Sequence, residues 1–73
     1  MTIDFTNRPY SRVLIPDPEV GGFTAKVLEF PGCFSEGDSV QEAYDNLDEA
    51  AKGWIEAALE RGQTIPEPFE DQP

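Results

Sequence analysis

Phe30-Pro31-Gly32-Cys33-Phe34-Ser35-Glu36-Gly37-Asp38-Ser39-Val40-Gln41-Glu42-Ala43 places two glycine turns and a helix-capping signal directly ahead of the chain's one long helical pattern. Pro31-Gly32 ends an apolar strand. Gly37 reads as a residue in a backbone conformation closed to other side chains. Ser39 and Glu42 have the spacing of a capping box, in which serine and glutamate satisfy amides that the first helical turn leaves without partners. A helix therefore starts near Ser39.

Downstream of Val40, apolar residues recur at Tyr44, Leu47, Ala51, Trp54, Ile55 and Ala58, the three- and four-residue steps of one helical face. That face must cover a sheet. The opposite arc carries Glu42, Asp45, Asp48, Glu49, Glu56 and Glu60, offset only by Lys52, so the helix over residues 39 to 61 presents an acidic outer surface. Arg61 and Gly62 supply a cation near the negative end of the dipole and a stop. Ala43, Ala50 and Ala57 form a small-residue ridge beside the apolar stripe, with Gly53 near it.

Upstream, Tyr10–Ile15 is β-branched and apolar enough for a strand that Pro16 must stop. Gly21-Gly22 turns the chain into Phe23–Phe30, where Phe23, Ala25 and Val27 share one face and Thr24, Lys26 and Leu28 the other. These two form an antiparallel hairpin, and residues 33–36 are long enough for a short third strand. The expectation is an α+β fold: an antiparallel sheet of two to three or four strands with one long helix on one face. Its core should include Leu14, Phe23, Val27, Val40, Leu47, Trp54 and Ile55. Residues 1–9 are a polar lead-in, 10–62 the domain, and 63–73 a proline-rich acidic extended tail whose three prolines exclude a continuing helix.

The chain has 73 residues, a size at which a single core is marginally stabilising. Fifteen acidic residues against five basic ones give a net charge of −10, which argues against a nucleic-acid or anionic-membrane partner and for a basic protein. Small size, an open strand edge and the alanine ridge together suggest a homodimer, formed by edge pairing or helix contact. Cys33 is the one cysteine, so no internal disulfide forms, and a reducing cytoplasmic location fits. No apolar run approaches the length of a membrane span.

Catalytic chemistry has little to stand on. Histidine, the usual base for a serine or cysteine nucleophile, is absent. The helix carboxylates face solvent, where nothing raises the pKa of a general acid. Asp17, Glu19, Glu36 and Asp38 lie toward one end of the sheet, yet lack the spacing of a calcium loop. Neither a metal nor any other cofactor is implied, and the chain reads as a non-enzyme.

Tyr10 through Pro16, Gly21-Gly22-Phe23, Glu29-Phe30-Pro31-Gly32-Cys33, Glu36-Gly37-Asp38-Ser39, Glu42-Ala43, and finally Gly62 with Ile65-Pro66 resemble, in this order and at these separations, the N-terminal domain of the HicB-like antitoxin family. The resemblance implies a partial ribonuclease-H-like fold without the nuclease's carboxylates, and a domain that binds and inhibits HicA, a small basic mRNA-cleaving toxin. Many family members continue into a DNA-binding domain, and this chain ends at Pro73 without one, so operator binding is not carried over. The expected function is neutralisation of a HicA-type toxin by occlusion; the alternative is an orphan HicB-like regulatory module with a different protein partner. The candidate contacts are Asp17 and Glu19 in the hairpin loop, Glu36 on the third strand, and Glu67, Phe69 and Glu70 in the tail. Phe69 is the natural aromatic anchor. It either lies across the partner or folds back on the sheet.

Overall fold

Three short strands precede one helix in the computed structural model, which describes residues 9–69: β1 (Arg12–Pro16), β2 (Phe23–Val27), β3 (Phe34–Gly37) and α1 (Val40–Glu60). The expected lead-in, apart from Pro9, and the last four positions from Glu70 lie outside the described residues. The sheet is antiparallel in the order β1-β2-β3. The register pairs Leu14 with Ala25 and Ala25 with Ser35, so β2 is the central strand and α1 covers the face that carries Ala25 and Val27. This is the α+β arrangement read from the hydrophobic pattern.

Strand boundaries differ from the sequence expectation at both hairpin arms. β1 takes in Pro16, whose missing N–H is tolerated because β1 is an edge strand. β2 stops at Val27 rather than Phe30, because the chain folds into a tight turn in which Phe30 N–H donates to the Val27 carbonyl and Cys33 N–H to the Phe30 carbonyl. That turn drives Phe30 into the core, where it is 2 % exposed.

The helix is capped at both ends by the residues that signalled it. Ser39 Oγ accepts from Glu42 N–H at 3.1 Å, while the Glu42 carboxylate reaches one residue further back than a capping box requires, to Asp38 N–H at 3.4 Å. At the other end Gly62 adopts φ +73°, and Gly62 and Gln63 donate to the carbonyls of Leu59 and Ala58, the paired bonds of a Schellman stop. Ala43, Leu47, Ala51, Ile55 and Ala58 are the buried residues of the helix.

Gly37 has no positive φ, contrary to the sequence expectation. Its small size is required instead by proximity: a Cβ there would strike the backbone of Glu42 and Ala43. The first turn of α1 thus lies directly on the end of β3. Ala43, the first member of the alanine ridge, is fully buried at this crossing, so the ridge begins against the chain's own sheet rather than on an outer surface.

The core is built from Ala25, Val27, Phe30, Cys33, Leu47, Ile55 and their neighbours, with Leu14, Phe23 and Trp54 half-buried around it. Val40 is the exception among the expected core residues. It is 43 % exposed as the first residue of the helix. Trp54 stacks on Phe30 with ring centroids 4.4 Å apart and planes 3° from parallel, and its Nε1–H donates to the Pro31 carbonyl at 2.9 Å. Tyr10 packs on the other side of Phe30 at 4.5 Å and donates its hydroxyl to the Pro66 carbonyl at 2.7 Å.

Through Pro66 the segment after the helix is tied to the body. Ile65 and Pro68 are buried. The described residues of this tail lie back on the body, where an isoleucine and a proline gain more by being covered than by remaining in water.

Candidate functional site

An acidic cleft of about 360 Å³ opens at the end of the sheet that carries the β1–β2 loop. Asp17 and Val20 come from that loop, Glu36 from β3, and Asp38 and Glu42 from the entry to α1. Four carboxylates therefore converge from three separate parts of the chain. The helix dipole explains part of the clustering, since the positive end of α1 favours acids in and before its first turn.

Each acid has a distinct local role. Asp17 shapes the loop: one carboxylate oxygen, Oδ1, accepts from Glu19 N–H at 3.0 Å and Val20 N–H at 3.3 Å, while the Asp17 carbonyl accepts from Gly21 N–H. Glu19 is exposed in the same loop and does not line the cleft. Glu36 is exposed, and its backbone carbonyl receives the Asn46 side-chain amide at 2.8 Å, which fixes β3 to the helix. Glu42, read from the sequence as half of a capping box, and Asp38, read as one of the acids toward this end of the sheet, also line the cleft.

Glu67 and Phe69 are not at this cleft. Phe69 N–H donates to Glu29, which lies with Ser11 at the far end of the hairpin. The two groups of candidate residues are thus separated by the five residues of β1, about 16 Å of strand. Phe69 itself remains 51 % exposed although its backbone is anchored. Glu70 lies outside the described residues.

Glu29 was not singled out as a site residue. It is 4 % exposed, and its two carboxylate oxygens each accept from Ser11 N–H at 2.9 Å, Oε2 accepting from Phe69 N–H at 3.0 Å as well. Burial pushes its pKa up, but the Phe69 and Ser11 amides outweigh that and hold it below the ordinary glutamate value. A single acid immediately before the Phe30-Pro31-Gly32 turn, at the end of an apolar strand, was the available signal. Cys33 is buried and burial raises its thiol pKa, which suits a small core residue rather than a nucleophile.

The cleft continues onto an acidic helix surface. Asp45, Asp48, Glu49, Glu56 and Glu60 are all exposed along α1. Asp48 is partly neutralised by Arg12 at 3.6 Å, the guanidinium also lying 5.1 Å over the Tyr44 ring, and Glu49 by Lys52 at 3.7 Å. Among the described residues no group of three or more His, Cys, Asp or Glu is placed to hold a metal ion, and no helix is long and apolar enough to cross a membrane. The arrangement is suited to receiving cationic side chains.

The fold and the sequence both have known relatives. A UPF0150 protein of Thermoplasma acidophilum, Ta0767, is 35 % identical over 54 residues, covering 74 % of this chain and 78 % of its own. A UPF0150 protein of Synechocystis, ssr1765, is 33 % identical over 58 residues, covering 78 % of this chain and 73 % of its own. The crystal structure of TTHA0281 from Thermus thermophilus superposes with a TM-score of 0.71 at 25 % identity, over 82 % of this chain and 73 % of that one. Residues 10–71 match the family described as HicB-like antitoxin of bacterial toxin-antitoxin systems, and the chain belongs to that family.

Proposed function

We propose that this chain neutralises a small basic mRNA-cleaving toxin of the HicA type by occluding it, and does so without cleaving RNA itself. The observation that carries this reading is the continuous acidic surface running from the hairpin loop through the cleft onto the start of α1. A toxin that grips RNA must present cations to phosphates. The same cations are attracted to a convergent set of carboxylates, which steers the encounter and then covers the RNA-binding surface. Family membership supports an antitoxin role in general; the acidic lining of the cleft supports a basic partner.

Asp17, Glu19 and Glu36 act at the cleft and its rim. Phe69, with an anchored backbone and an exposed ring, is the second contact, flanked by Glu67 and, from the sequence, Glu70. A partner spanning both would lie along the hairpin. The test is rescue of growth when the chain is co-expressed with a candidate toxin. Truncation at Gly62 is unsuitable, since it removes the buried Ile65 and Pro68. Phe69→Ala removes only the exposed ring. The reading expects full rescue by the intact chain and weaker rescue by Phe69→Ala; absence of both binding and rescue by the intact chain overturns it.

A further inference from the structure

We propose that the face of the sheet not covered by α1 is where a second copy of this chain docks, the two copies stacking sheet on sheet about a twofold axis. The register lays out this face in two cross-strand rows: Val13–Lys26–Phe34 and Ile15–Thr24–Glu36. Leu28 extends it beyond Lys26, held in line by its N–H bond to the Ser11 carbonyl. Ile15 is 42 %, Leu28 51 % and Phe34 56 % exposed, three large apolar side chains on one side of a three-stranded sheet. Single exposed apolar residues are ordinary; a shared face of them marks an interaction surface.

Charge identifies the occupant. In a chain of net charge −10 this face carries one cation, Lys26, and one anion, Glu36. Neither has a side-chain ion-pair partner among the described residues. They sit on neighbouring strands, diagonally across the face, so a twofold operation that exchanges them sets Lys26 of each copy against Glu36 of the other. The same axis passes close to the other diagonal and brings Phe34 against its own counterpart. Glu36 stands where this face borders the acidic cleft, but across the face itself Lys26 offsets it, and an identical face is complementary in both its charges and its apolar residues. The acidic arcs of the two helices would point outward on opposite sides, separated by two sheets and two helices, well beyond the Debye length of about 8 Å at physiological salt. This surface is distinct from both the strand edge and the alanine ridge.

Sedimentation equilibrium of the full chain, without any toxin, tests the proposal from about 1 µM to about 1 mM. The wild type is expected to dimerise in that range, and Phe34→Asp to be monomeric. Lys26→Glu and Glu36→Lys, each alone, should weaken the dimer by about tenfold or more, because like charges then face each other twice. An equimolar mixture of those two variants should recover a heterodimer, since every facing pair is again opposite in sign. Glu49→Lys on the helix should leave association unchanged. Circular dichroism establishes that each variant is folded, and Lys26→Gln, expected to weaken the dimer less, replaces any reversal that is not. A wild type that stays monomeric throughout, a dimer indifferent to these variants, or a mixture that fails to reassociate overturns the proposal. Protection of this face from hydrogen exchange only after a basic protein is added would overturn it too, assigning the face to that partner. None of these readings depends on whether the chain is an antitoxin.

Discussion

The carboxylate of Glu29 accepts the backbone N–H of Phe69 at 3.0 Å, across 40 positions of sequence, and holds the amide of Ser11 at the same time. One buried acid thereby ties the segment after the helix to the residue that precedes β1. The arrangement satisfies two backbone donors that would otherwise be left without partners, and it sets the direction in which the Phe69 ring leaves the surface.

Replacing Glu29 with glutamine places a donor amide against two N–H groups. Glu29→Gln should cost about 1.5–3 kcal/mol, the range for hydrogen bonds to a charged group. Because the folded-state pKa lies below the ordinary glutamate value, the carboxylate's contribution is complete above that value and is lost as pH falls from it through the folded pKa. Denaturant titrations at neutral and acid pH should show the wild type losing more stability on acidification than Glu29→Gln. Equal losses would mean that Glu29 does not act as an ionised latch.

Trp54 separates packing from hydrogen bonding. Trp54→Phe keeps a ring over Phe30 but loses the bond from Nε1 to the Pro31 carbonyl, and should cost about 1 kcal/mol. Trp54→Ala also loses the stack, and should cost about 3 kcal/mol, the low end for a large aromatic because the indole is only half-buried. A loss below about 1 kcal/mol for the alanine variant, read from urea midpoints, would contradict the stacked placement.

Two glycines should respond to alanine with opposite signs. At Gly53 an added Cβ meets nothing within 4 Å, so Gly53→Ala should stabilise the helix by about 1 kcal/mol. At Gly37 the added Cβ meets the Glu42 backbone at 2.7 Å, and relief requires moving the helix off β3, for about 1–3 kcal/mol of destabilisation. Thermal melts of the two variants suffice.

The helix was legible because its apolar period, Ser39 cap and Gly62 stop all act within a few residues of themselves. The β2–β3 turn was less so. Phe30 continues the apolar run of β2, and only the backbone bonds among Val27, Phe30 and Cys33 reveal that it leaves the strand for the core. Val40 fits the helical period yet stays 43 % exposed as the first residue of the helix, an outcome of tertiary packing rather than local pattern. Glu29 was hidden for the same reason, since its partners are Ser11 and Phe69. At the candidate site, the gathering of Asp17, Glu36 and Asp38 toward one end of the sheet was legible from the sequence, but the addition of Glu42 depends on the packing of Gly37 beneath the helix.

If the acidic cleft steers a basic toxin, its charges should act on association more than on dissociation. Asp17 also accepts two loop amides, so reversal to lysine would damage the loop as well as the charge. Asp17→Asn is the cleaner change, keeping an acceptor oxygen where Oδ1 stands while removing the carboxylate. Glu19 accepts no loop amide through its side chain, and Glu19→Lys can be combined with it. The double variant should bind a candidate toxin about tenfold more slowly at low salt, with the difference shrinking as ionic strength shortens the reach of the field. Phe69→Ala should instead accelerate dissociation, because an aromatic contact forms after the encounter rather than during it. Stopped-flow association and dissociation rates over a salt series distinguish the two. An association rate indifferent to salt and to both loop substitutions would remove the cleft from the binding surface, while an unchanged dissociation rate for Phe69→Ala would remove the ring.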